Sequence, residues 1–165
     1  MDGDNFKTLL KTAGALLARR AFSRGELRNR LAKAGRDHEI EAVLDRLEQL
    51  NLLNDADYAY NFALCRTRDE GWGPAKVRDS LLRRGVSPET AAAAMQRVGD
   101  ETDARAALTQ YLRKHCAKTG APSGPVAVRR LVLHLRRRGF DDDAIRGALK
   151  QTVPAALLER LETGE

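Results

Sequence analysis

Residues 27–35 read LRNRLAKAG, residues 77–85 read VRDSLLRRG, and residues 131–139 read LVLHLRRRG. Each stretch is a basic, leucine-bearing helical segment that runs into a glycine. Gly35, Gly85 and Gly139 lie 50 and 54 residues apart. A period in that range is the signature of a repeat architecture, in which each unit is one supersecondary element that buries its apolar face against its neighbours. The repeat predicts an all-α chain of three tandem three-helix modules. Their expected bounds are residues 1–53, 54–99 and 100–153, with a short C-terminal helix or tail over residues 154–165.

The segments around these stretches fit that scheme. Phe6, Leu9, Leu10, Ala13, Leu16 and Leu17 recur at helical spacing. Ser23 and Glu26 stand at capping-box spacing ahead of the second helix. That helix is expected to run to about Ala34, with Gly35 taking the left-handed conformation that ends it. A third helix from Asp37 would present Ile40, Val43, Leu44, Leu47 and Leu50. Asp55 is the expected cap of a helix carrying Tyr58, Phe62 and Cys65. Pro74 suits a first helical turn, and Val77, Leu81 and Leu82 supply that helix's apolar face. Ser87-Pro88-Glu89 starts a helix whose inner face, Ala91, Ala94, Met95 and Val98, is small.

The third module is expected to open near Asp100, with Ala104, Leu108, Tyr111 and Leu112. Residues 119–125, TGAPSGP, form the clearest loop. Beyond it lie Val128, Leu131, Val132 and Leu135, then Gly139 and a helix led by Asp141, Asp142 and Asp143, whose charge suits the dipole. The spacing to the next inner residue is five after Gly35 (Ile40) but six after Gly85 (Ala91) and Gly139 (Ile145), so the first turn is tighter. Pro154 is expected to begin the last short helix.

Composition bounds the function. The 165-residue chain has a net charge of +6 and only 5% aromatic residues. Such a charge bears on partners, nucleic acid or an acidic protein face, rather than on fold. Cys65 and Cys116 stand far apart without a metal-binding spacing and are expected to be reduced, partly buried thiols. The N-terminus lacks a basic signal region, and the first apolar stretch is broken by Lys11, Arg19 and Arg20; a cytoplasmic protein without membrane attachment is expected.

An enzyme is not expected. His38, His115 and His134 are too few and too scattered for an acid–base constellation. His115-Cys116 has no partner pair at zinc spacing. Asp141–Asp143 read as a helix cap, there is no phosphate-binding loop motif, and no cofactor is expected. Trp72, in the Gly71–Pro74 junction, is expected to pack between modules, with an exposed recognition anchor as the alternative.

The arginines are the informative set. Arg19, Arg20, Arg24 and Arg28 (with Arg30 and Lys33) cluster in the first module. Lys76, Arg78, Arg83 and Arg84 do so in the second. Arg129, Arg130, Arg136 and Arg137 (with Arg138) do so in the third. Arginine over lysine favours forked hydrogen bonds to phosphate or carboxylate. Those at helix C-termini also complement the dipole. Arg129 and Arg130 sit near a helix start, where that explanation fails, so binding is the stronger reading.

Ala15–Arg20 followed by Ser23–Leu27 resembles the opening motif of the RecX family, regulators of the RecA recombinase. Leu52-Leu53-Asn54-Asp55-Ala56-Asp57-Tyr58-Ala59, Gly73-Pro74 with its spacing to Leu81 and Gly85, and Leu131–Phe140 with Asp141–Leu149 are similar to later landmarks. The likeness covers about residues 10–150. It implies three three-helix repeats in an elongated, curved rod that binds along the groove of the RecA–DNA filament. It further implies suppression of ATP hydrolysis and strand exchange, no enzymatic activity, and direct binding of single- or double-stranded DNA in some members. A monomer of three such modules would reach about 60–70 Å, from helices of about 20 Å each. The alternative is a stand-alone helical DNA-binding protein, with short helices joined by tight turns.

Overall fold

The structure, a computed structural model, describes residues 3–155 and Leu158. Among these residues there are nine helices and no strand: α1 (Gly3–Leu17), α2 (Arg24–Leu31), α3 (Asp37–Gln49), α4 (Asp55–Arg68), α5 (Pro74–Arg83), α6 (Pro88–Glu101), α7 (Ala104–Thr119), α8 (Pro125–Arg137) and α9 (Asp142–Thr152). All three repeats thus read helix–helix–helix. Apart from Pro154, Ala155 and Leu158, the expected final helix lies outside the described residues.

The chain divides into two compact units. One comprises Met1–Phe62 and Ser80–Ala94, the other Ala63–Asp79 and Met95–Glu165. In the first, α1, α2 and α3 pack on one another. Leu9, Ala13, Leu27, Leu31, Ile40, Val43, Leu44 and Leu47 are buried there. In the second, α9 packs on α7 and α8, and Leu108, Leu112, Val128, Leu131, Leu135, Ile145 and Leu149 form the core. Each fully buried leucine contributes about 2 kcal/mol of transfer free energy, so these faces outweigh any single cap or ion pair. Leu50, expected on the inner face of α3, is instead exposed at its end, one residue beyond the helix's last turn.

Several local expectations hold. The Ser23–Glu26 capping box is formed. Pro74 opens α5, the Ser87 hydroxyl accepts the Thr90 N–H, and Asp141 accepts the Ala144 N–H at 2.7 Å. Others differ. Asn54, not Asp55, caps α4 by accepting the Ala56 and Asp57 N–H groups, which frees the Asp55 carboxylate to accept the Arg24 N–H at 2.7 Å. The buried face of α4 is Ala59 and Ala63, while Tyr58 and Phe62 are half-buried. Cys65 is exposed rather than partly buried, because it falls on the outer side of that helix; Cys116 is half-buried as expected. Asp100 belongs to the last turn of α6, and Asp103 caps α7.

The three repeat glycines are not equivalent. Gly85 and Gly139 have φ of +76° and +88°. Each closes a Schellman turn: Val86 N–H donates to Leu81 O, and Phe140 N–H to Leu135 O, with Val86 and Phe140 buried beyond the turn. Gly35 is not left-handed. Helix α2 ends at Leu31, followed by a tight turn in which Ala34 N–H donates to Leu31 O. A side chain on Gly35 would come within 2.6 Å of the buried Leu9 Cδ1, so Leu9 would have to shift to admit it.

Candidate functional site

The left-handed glycines serve a second purpose, which each unit repeats. In the first unit, the start of α2 lies against the end of α5. The Ser23 hydroxyl donates to Arg84 O, and a Cβ on Gly25 would lie 2.7 Å from the Gly85 Cα. In the second unit, the start of α5 lies against the end of α8. Gly73 N–H donates to Arg138 O at 2.7 Å, Ala75 N–H donates to Gly139 O at 3.2 Å, and neither Gly73 nor Gly139 has room for a side chain. The helix start of one repeat is therefore seated on the Arg-Gly stop of the next. Gly35 receives no such helix start among the described residues, and its would-be Cβ meets the Leu9 side chain.

The arginine of each stop is a clamp. Arg84 lies over the Phe62 ring with 4.6 Å to its centroid, donates to Ser80 O and Oγ, and sits 3.6 Å from Glu26. Arg138 lies over the Tyr111 ring at 4.4 Å and donates to the carbonyls of Glu70 and Gly71. These interactions combine cation–π attraction with hydrogen bonds that satisfy carbonyls in a turn.

Further basic residues are held inside their own repeat. Arg24 is surrounded by Glu41, Asp45 and Glu48 of α3, each at 2.7 Å. Arg28 reaches Glu41 and Asp37. Arg20 stacks on Phe22 at 3.6 Å and pairs with Glu26. Arg136 makes a two-pronged contact with Asp142 at 2.8 and 3.0 Å. Lys76 and Arg66 both lie over the Trp72 ring, which is half-buried and packed within the second unit.

The remaining candidates, Arg19, Arg78, Arg83, Arg129, Arg130 and Arg137, are exposed and have no ion-pair partner among the described residues. Three of them fall on one side of α8. Helical spacing places Val126, Arg129, Arg130, Leu133 and Arg137 on a single stripe, opposite the buried Val128, Leu131 and Leu135. Val126 is 60% exposed and Leu133 50%. Two large apolar side chains among three uncommitted guanidiniums make a surface suited to a macromolecular partner with acidic and apolar character.

The clamp in the second unit carries a titratable group. His134 Nε2 lies 2.7 Å from the Tyr111 hydroxyl and 3.3 Å from Arg138 Nε. Arginine can only donate, so Nε2 accepts and the ring proton resides on Nδ1. Burial, then the like charge of His115, Arg138, Arg137 and Lys76, holds this imidazole below its ordinary value of 6.5. A histidine depressed in the folded state binds its proton in the unfolded chain first. Its contribution is present above pH 6.5 and is lost as pH falls from there through the lower folded-state value. Urea midpoints measured from pH 7.5 down to 5.5 should therefore decline, and His134→Gln, which retains an acceptor without the titration, should flatten that decline.

Comparison with known proteins follows the same repeats. Residues 12–47 match the family model for the first three-helix domain of RecX, and residues 54–95 that for the second. A regulatory protein RecX of Prosthecochloris aestuarii is 38% identical over 153 residues, covering 91% of this chain and 96% of the relative. Its namesake in Mycobacteroides abscessus is 35% identical over 139 residues, covering 81% and 68%. The fold is that of a crystal structure of RecX from Lactobacillus salivarius, with a TM-score of 0.77 at 18% identity over 91% of this chain and 97% of that one. Among the described residues, no helix is long and apolar enough to cross a membrane.

Proposed function

The chain belongs to the RecX family of regulatory proteins, and from this premise we propose that it is a non-enzymatic modulator of the RecA recombinase. It docks in the groove of the RecA–DNA filament in the cytoplasm and inhibits ATP hydrolysis, strand exchange and filament extension, so regulating DNA repair and recombination, including the SOS response. The observation that carries this reading is the outward stripe of α8. Arg129, Arg130 and Arg137 flank Val126 and Leu133 there and have no ion-pair partner among the described residues. Arg19, Arg78 and Arg83 are further contacts from the other repeats.

The mechanism is one of linked weak contacts. Three repeats in tandem touch more than one protomer. Once the first contact forms, the others act at high effective concentration, so avidity exceeds any single contact. A molecule bridging protomers opposes the relative movement that ATP turnover and strand exchange require.

Charge reversal at Arg129 and Arg130 together tests the proposal. Affinity for RecA-coated single-stranded DNA is expected to fall at least about tenfold, or 1.4 kcal/mol, while the thermal midpoint stays the same because both side chains are exposed. Undiminished inhibition of strand exchange by that variant would refute the assignment. The same titration on bare DNA at two salt concentrations separates the alternative of a stand-alone DNA-binding protein. That alternative predicts tight, strongly salt-dependent binding without RecA.

A further inference from the structure

The facing sides of α7 and α8 and the loop that joins them line an open cavity of about 480 Å³. Its wall includes His115, Cys116, Ser123, Arg130 and His134. No carboxylate is among the lining residues. The His115 and His134 rings stack with centroids 4.9 Å apart, and Tyr111 stacks on both. Arg130 and the Ser123 hydroxyl have no partner among the described residues.

These features share one chemistry. A guanidinium, two imidazoles and a free hydroxyl meet with nothing negative between them, and Arg137, Arg138 and Lys76 add positive potential at His134. His134 Nε2 is occupied by Tyr111 and Arg138, which leaves its Nδ1–H as the remaining donor. A metal is a poor fit, because no group of three or more His, Cys, Asp or Glu side chains that could hold one occurs among the described residues. An anion fits well: it supplies the missing charge, and a planar guanidinium forks onto tetrahedral oxyanions. The volume lies within the range of about 300–1,000 Å³ usual for small-molecule sites, so a phosphate has room to bring an organic group with it.

We propose that this cavity binds a phosphate monoester, gripped by Arg130 and by the imidazoles of His115 and His134. The site shares Arg130 with the outward stripe of α8, and its test contains no recombinase.

The three histidines provide the readout. Imidazole resonances of His38, His115 and His134 are followed by NMR while inorganic phosphate or a nucleoside 5′-monophosphate is added. His38 is exposed in the other unit and serves as the internal reference. Saturable shifts of His115 and His134 alone are expected, with the His134 titration midpoint moving upward as the anion stabilises its imidazolium. Arg130→Gln should weaken phosphate binding about tenfold, whereas Arg129→Gln, which does not line the cavity, should leave it unchanged.

Tighter binding of the mononucleotide than of inorganic phosphate identifies a free nucleotide as the source. Preference for a 5′-phosphorylated oligonucleotide over its 5′-hydroxyl twin identifies a DNA end; either supports the site. Three results would overturn it: His38 shifting as much as the other two, unchanged affinity in Arg130→Gln, or equal binding of the two oligonucleotides together with no preference for the mononucleotide over inorganic phosphate.

Discussion

Gly139→Ala is expected to destabilise the protein by about 3–4 kcal/mol, from backbone strain of about 1–2 kcal/mol plus two hydrogen bonds of about 1 kcal/mol each. The strain arises because Gly139 holds φ at +88°, a region alanine enters reluctantly. The hydrogen bonds are lost because a methyl group there would overlap the backbone nitrogen of Lys76 and approach its Cβ to 2.7 Å. The α5 start cannot stay seated, and the bonds from Gly73 N–H to Arg138 O and from Ala75 N–H to Gly139 O break together. Urea denaturation gives the total, and hydrogen exchange at the Gly73 and Ala75 amides locates it. Gly147→Ala is the matched control. Gly147 lies inside α9 with open space around its would-be Cβ. Alanine there should stabilise by about 0.5–1 kcal/mol through helix propensity.

Arg138→Ala is expected to cost about 2–4 kcal/mol, since it leaves the Glu70 and Gly71 carbonyls without their charged donor and removes the stack on Tyr111. Its neighbour Arg137 is exposed and has no ion-pair partner among the described residues, and Arg137→Ala should change stability by less than about 0.5 kcal/mol. The pair is informative because the two residues are adjacent and chemically identical. Stability should fall in the Arg138 variant and filament affinity in the Arg137 variant. Equal loss of stability in both would show that the clamp contributes nothing beyond general charge. A double-mutant cycle between Arg138 and Tyr111 isolates the stacking energy from that of the carbonyl bonds.

The basic clusters show where sequence reading stops. Arg83 and Arg84 are neighbours with the same helix-end position, as are Arg137 and Arg138. In each pair the first is exposed and the second is folded over an aromatic ring. Nothing in the order of residues separates them, because the difference lies in which ring and which carbonyls the chain brings within reach. Arg24 and Arg28 look like binding residues in sequence, yet Glu41, Asp45 and Asp37, 9 to 21 residues away, take them up. The cavity beside His115 was equally hidden. Its parts were visible singly, as a His-Cys dipeptide, a Gly-Pro loop and an arginine near a helix start.

The helices themselves were legible, because periodic apolar positions, Ser23 with Glu26, Pro74, and the Schellman glycines act over a few residues and need no distant partner. The fifty-residue period told that three such triplets follow one another. Tertiary structure alone decided what the glycine stops are for. A backbone that turns left-handed at Gly85 and Gly139 can be read locally as the end of a helix. That each turn also receives the start of the preceding repeat's middle helix, with an arginine closing over it, depends on groups about 60 residues apart meeting at separations too small for any side chain.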